Sequence, residues 1–174
     1  GGSIYLSGYN HNVCLDARHC VFEDNAAATG GAIWAKESNV HLLDCTLTGN
    51  GYLSADKVES PDGGALSLYN CGVNLDGCLI ADNTSGGKGA GIFCAIAPFK
   101  TLIMENCTVI GNKSAADEGI SLGFAATNFD TTAKARIYFS SLFGEQNLAG
   151  NAELFGCLLA CGNAPESEPC EENG

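Results

Sequence analysis

The amino-acid sequence predicts an all-β chain wound as a right-handed parallel β-helix (a solenoid), with about five coils plus a partial one and three short strands per coil. Three observations carry that expectation. The hexamers CVFEDN (20–25), CTLTGN (45–50), CLIADN (78–83) and CTVIGN (107–112) share the pattern Cys-x-apolar-x-x-Asn. A second motif alternates with the first: GGSIYL (1–6), GGAIWA (30–35), GGALSL (63–68), GAGIFC (89–94) and EGISL (118–122). Each piece alternates apolar and polar residues over a few positions and is bounded by Gly, Asn, Asp or Ser, which is strand periodicity between turns. A unit of this size cannot bury its own apolar face, so repeats of it stack, and parallel crossovers wind right-handed.

Within each coil the residue types have separate tasks. Five residues before each Cys stand Leu15, Val40, Val73 and Leu102; three before it stand Ala17, Leu42, Leu75 and Met104. These positions fill the bore. ARIYFSSLFGE (135–145) is a degenerate copy with Ser140 for Cys and Glu145 for Asn, and AELFGCLLACGN (152–163) is another. The anchors of the Gly-Gly motif are Ile4, Ile33, Leu66, Ile92 and Ile120, at intervals of 29, 33, 26 and 28 residues. Cys20, Cys45, Cys78, Cys107 and Cys157 form one column of small, soft fillers, with Cys94 also inward. Asn25, Asn50, Asn83 and Asn112 form a second column, at a bend, where stacked amides bond to one another. The Gly-Gly step supplies backbone conformations that glycine adopts cheaply. The helix is expected over 1–163, followed by an acidic tail at 164–174.

The pairing of FEDN (22–25) with GGAI (30–33) resembles the polymorphic outer-membrane proteins of chlamydiae and related autotransporter passengers. Those chains repeat Phe-x-x-Asn and Gly-Gly-Ala-Ile/Leu/Val along a β-helix. The likeness covers about residues 1–122, with Leu47, Ile80 and Val109 standing where later coils of the family carry Phe. It implies a secreted or surface-displayed rod that adheres, assembles or coats. The chain opens directly on a Gly-Gly strand, and it reads as a processed product or an excerpt of something longer.

Ten cysteines suggest an oxidising compartment. Neighbours in the Cys column are a rung apart, about 4.8 Å, a little far for an unstrained bridge, so free thiols are expected there. Cys161 and Cys170 flank GNAPESEP and are the disulfide candidate; Cys14 and Cys71 lie on one corner two coils apart. The formal charge of −12 disfavours nucleic acid and anionic membranes as partners. No apolar run is long enough for a membrane-spanning helix, so no membrane insertion is expected.

Chemistry is sparse. His11, His19 and His41 make no zinc spacing, so no metal and no cofactor are expected. GGKGAG (86–91) reads as a turn rather than a phosphate loop. A glycosidase needs two converging carboxylates, one kept protonated. Asp16, Asp44, Asp76 and Glu105 are singletons, and no acid cluster aligns beside Arg18 or Arg136. An enzyme is not expected. Two functional readings remain: an extracellular or cell-surface structural or adhesive rod that meets other modules or subunits through its helix ends, or a carbohydrate-binding or polysaccharide-cleaving β-helix. The second uses a stripe of aromatic residues in the turns at one corner: Tyr9, Tyr69, Phe99, Phe124 and Phe129.

Overall fold

The computed structural model describes residues 2–8, 13–52, 62–96, 100–114, 118–124, 134–148 and 152–160, with the side chains of 52, 118–124 and 145–148 left aside. Every element among them is a strand or a turn. Three parallel sheets of six strands each run the length of the rod. Sheet A stacks Ile4–Ser7, Ile33–Lys36, Leu66–Tyr69, Ile92–Ile96, Glu118–Phe124 and Glu145–Leu148. Sheet B stacks Cys14–Arg18, Asn39–Leu43, Gly72–Asp76, Thr101–Glu105, Lys134–Tyr138 and Ala152–Phe155. Sheet C stacks Val21–Glu23, Thr46–Thr48, Leu79–Ala81, Thr108–Ile110, Ser141–Phe143 and Leu158–Ala160. Beyond the three strands expected per coil, a fourth corner holds two-residue pieces: Ala26–Ala27 pairs with Gly51–Tyr52, and Thr84–Ser85 with Lys113–Ser114.

The register follows the repeat. Ile4, Ile33, Leu66, Ile92 and Ile120 are successive partners in sheet A. In sheet B, Ala17, Leu42, Leu75, Met104 and Ile137 are partners, and in sheet C, Phe22, Leu47, Ile80, Val109 and Leu142. A one-residue slip would turn each column out to water, so burial itself pins the register. The third coil shows the result: Leu66, Leu68, Leu75 and Ile80 are fully buried, and Val73 and Cys78 nearly so. Truncating one such leucine to alanine typically costs about 2–5 kcal/mol.

Turning from sheet B to sheet C takes one residue in left-handed backbone. His19, Asp44, Gly77, Asn106, Phe139 and Gly156 hold that place on successive coils, with φ between 46° and 63°. The ladder runs through the bend unbroken. The N–H groups of His19, Asp44, Gly77, Asn106 and Phe139 each donate to a carbonyl of the next coil, at 2.8–3.1 Å. Phe139 is the outlier in residue type, since left-handed backbone costs a non-glycine residue about 1–2 kcal/mol. The Gly-Gly step has two causes. Gly63 has φ +74°, and a Cβ on Gly64 would lie 2.2 Å from the Ala90 carbonyl oxygen of the next coil.

At the end of sheet C the asparagine column closes a complete network. Asn25, Asn50 and Asn83 each donate from Nδ2 to the next coil's Oδ1, at 2.9, 2.9 and 2.8 Å. Each Oδ1 also accepts the backbone N–H of the Asn one coil earlier. The second Nδ2 hydrogens of Asn50, Asn83 and Asn112 go to the carbonyls of Phe22, Leu47 and Ile80. Asn50 and Asn83 are wholly buried, yet both amide atoms of each are satisfied twice over. A buried polar network stabilises only when every member is paired, and an aspartate cannot donate. Asn83→Asp and Asn83→Ala are each expected to lower stability by about 3–5 kcal/mol in chemical denaturation; a loss below about 1 kcal/mol would contradict this account of the ladder.

Candidate functional site

The outward face of sheet A gathers the aromatic residues. In each strand the residue after the anchor points outward, which puts Tyr5, Trp34, Ser67 and Phe93 in one column of partners along the rod. Tyr5 and Trp34 stack face to face, with ring centroids 4.5 Å apart and planes within 5°. At the third rung the column holds a serine, and the gap is filled sideways by Tyr69, the last residue of its strand. The Tyr69 ring contacts Trp34 at 6.0 Å and Phe93 at 5.4 Å, tilted to both. Four rungs thus carry a continuous run of rings, Tyr5, Trp34, Tyr69 and Phe93. Tyr5 is two-thirds exposed, while the other three are half-buried.

Two features of this face go beyond packing. Ser67 Oγ is fully buried and is the one buried side-chain polar atom without a hydrogen-bond partner among the described residues. Burial raises the Tyr69 phenol above its usual range, and the neighbouring Ser67 hydroxyl acts in the opposite sense. The two hydroxyls are neighbours that do not close a bond of acceptable geometry.

Of the aromatic stripe expected from sequence, only Tyr69 has a described side chain. It sits at a strand end and not in a turn, because its strand runs one residue further than the apolar alternation suggested. Phe124 ends its strand with its backbone in register with Ile96. Tyr9, Phe99 and Phe129, and the side chain of Phe124, lie outside the described residues. Tyr5, Trp34 and Phe93 were missed, although their signal is plain: each follows an anchor in the aligned IYL, IWA and IFC.

The outward face of sheet B is mainly polar over its first three coils, while at its far end Tyr138 and Phe155 stack with ring centroids 5.3 Å apart. Asp16, Arg18, His41, Leu43, Asn74 and Asp76 line a shallow groove of about 240 Å³. Arg18 clamps Asp16 with two hydrogen bonds of 3.0 Å, and Arg136 bonds Glu153 at 3.1 Å, with Lys134 also 3.7 Å from that carboxylate. Residues i and i+2 share a strand face, and register brings Glu153 beside Arg136, so each arginine meets an acid. The Arg18 guanidinium holds the Asp16 carboxyl below its ordinary range, the wrong direction for a group that must donate a proton. His19 Nδ1 lies 3.6 Å from Asp44 at the adjoining corner, both exposed. Among the described residues no three His, Cys, Asp or Glu side chains gather as a metal set.

The cysteine column lies inside. Cys45, Cys78 and Cys107 are buried, Cys20 and Cys157 half-buried, and all five are free thiols. Each of the three buried thiols lies 3.2–3.5 Å from two carbonyls, one of its own coil and one of the coil before. Ser140 continues the column, accepting the Cys107 N–H at 3.1 Å. Burial pushes the Cys45, Cys71 and Cys94 thiols up, and the hydrogen bond to Cys78 together with burial does so for Cys107. Cys71 is buried one residue out of register with exposed Cys14. Cys161 and Cys170 lie outside the described residues, as does the tail.

The sequence pattern of the right-handed β-helix region matches residues 1–135. The chain belongs to the right-handed β-helix family. No curated protein and no solved structure matches it. In this right-handed β-helix the aromatic face of sheet A is the one surface where outward rings run continuously over four rungs of described residues. Its thiols give a direct check of the inside-outside assignment. Native-state alkylation with iodoacetamide, mapped by mass spectrometry, is expected to modify Cys14 and spare Cys45, Cys71, Cys78, Cys94 and Cys107 until denaturant is added. Labelling of Cys78 or Cys107 at the rate of Cys14 would contradict the assignment.

Proposed function

We propose that the chain is a secreted or surface-displayed β-helical rod that binds neutral glycan chains along the aromatic face of sheet A. The observation that carries this reading is the run Tyr5–Trp34–Tyr69–Phe93, set one ring per rung along the rod. Rings stacked along the rod turn their edges outward, so a glycan chain meets this face through an apolar ridge of ring edges and the tyrosine hydroxyls. Among glycans, a formal charge of −12 disfavours polyanionic chains relative to neutral ones. The resemblance to autotransporter passengers supports surface display. Carbohydrate cleavage receives no support from the groove of sheet B, where the clamped Asp16 stays ionised.

Trp34 is the only tryptophan, so its emission reports this face alone. Titration with cellohexaose is expected to shift Trp34 fluorescence saturably, with the coiled maltohexaose much weaker. By calorimetry, Trp34→Ala is expected to weaken cellohexaose binding roughly tenfold or more while leaving the melting temperature within a few degrees. No response to neutral glycans, or equal binding by Trp34→Ala, would overturn the reading.

A further inference from the structure

The third rung of sheet A departs from the others. The outward column reads Tyr5, Trp34, Ser67, Phe93, so the serine leaves a notch one residue wide between two rings. Trp34 and Phe93 are two rungs apart, roughly 9–10 Å by strand spacing. The Tyr69 ring touches both and so fills the rung of Ser67 between them. At this rung the Ser67 hydroxyl is sealed from water, with the Tyr69 hydroxyl beside it but no hydrogen bond of acceptable geometry. Buried polar groups are normally paired, and an orphan among the well-paired side chains of this rod marks a place whose partner arrives from outside.

The neighbours of Tyr69 leave it room to move. Its partners in register are Lys36 on one side and Ala95 on the other. Ala95 is small and Lys36 is long and exposed, so neither in-register neighbour of Tyr69 along the rod sets a ring against it. The ring is held by tilted contacts rather than by a face-to-face stack of the Tyr5–Trp34 kind.

We propose that Ser67 is the hydrogen-bonding floor of a specificity subsite, uncovered when the Tyr69 ring swings aside, and that it takes a hydroxyl of a neutral hexose held between Trp34 and Phe93. The inference rests on the glycan-binding reading and deepens it. The rings supply contact area that many ligands could use, whereas Ser67 demands one that both donates and accepts hydrogen bonds. An apolar peptide face cannot meet that demand; a sugar hydroxyl can. A site built around a polar group discriminates strongly against ligands that leave it unpaired.

Opposite signs in two measurements make the test. Ser67→Ala removes an orphan hydroxyl from the free protein, so its melting temperature is expected to rise, by roughly 2–4 °C. The same substitution removes a bond from the complex, so cellohexaose affinity by Trp34 fluorescence is expected to fall about tenfold. In a Tyr69→Ala background water reaches Ser67, and adding Ser67→Ala is then expected to leave the melting temperature unchanged. If the wild-type protein binds cellohexaose and Ser67→Ala binds it equally well, the subsite is overturned while the aromatic face stands. A lower melting temperature in Ser67→Ala would make Ser67 a packing residue and also overturn the subsite. If the wild-type protein binds no neutral glycan, the parent reading fails and the subsite fails with it.

Discussion

In-register parallel stacking is the constraint on which everything else in this rod depends. Each side chain lies about 4.8 Å from its counterpart in the next coil, so every position must hold a residue that tolerates its neighbours in the column. Aliphatic columns meet this condition by burying one another. Asparagine meets it because its amide donates and accepts in the same direction, which lets one geometry repeat from Asn25 to Asn112. Like charges in one column repel, and the outward column that begins at Asp16 avoids them, running through His41 and Asn74 and ending with Glu153 beside Arg136. Asp76 and Glu105, by contrast, are acids in register.

The same constraint creates the candidate binding face. An outward position with aromatic residues on several coils becomes a line of rings without any further design, because the rungs set their spacing. Tyr5 on Trp34 is the direct product of register. Tyr69 is not: it reaches the line from a neighbouring column and covers the one rung where the line is broken. On a repetitive scaffold, a violation of the repeat singles out one place from the rest. Here the violation is a serine among rings.

Much of the fold was legible in the sequence because burial and register leave a periodic trace. The anchors Ile4, Ile33, Leu66, Ile92 and Ile120 could be aligned by eye, and their pairing is the observed one. The column at the corner between sheets B and C was not legible. Its members are His19, Asp44, Gly77, Asn106, Phe139 and Gly156, united by a backbone angle that residue type only partly signals. Tyr5, Trp34 and Phe93 were available to the same alignment as the anchors, one position along, and were passed over in favour of rings in turns. The Asp16–Arg18 clamp also follows from strand alternation. The posture of Tyr69 beside Ser67 is also beyond sequence, since it depends on a rotamer and on hydrogen-bond geometry.

The central claim is that ligand binding occurs on sheet A. It is tested most directly by a crystal structure of the protein soaked with cellohexaose. The account predicts a glycan chain running along the rod axis against the outward edges of Tyr5 and Trp34, with Ser67 Oγ within hydrogen-bond distance of a sugar hydroxyl. Sugar bound in the groove between Asp16 and Asp76, with sheet A bare, would contradict it.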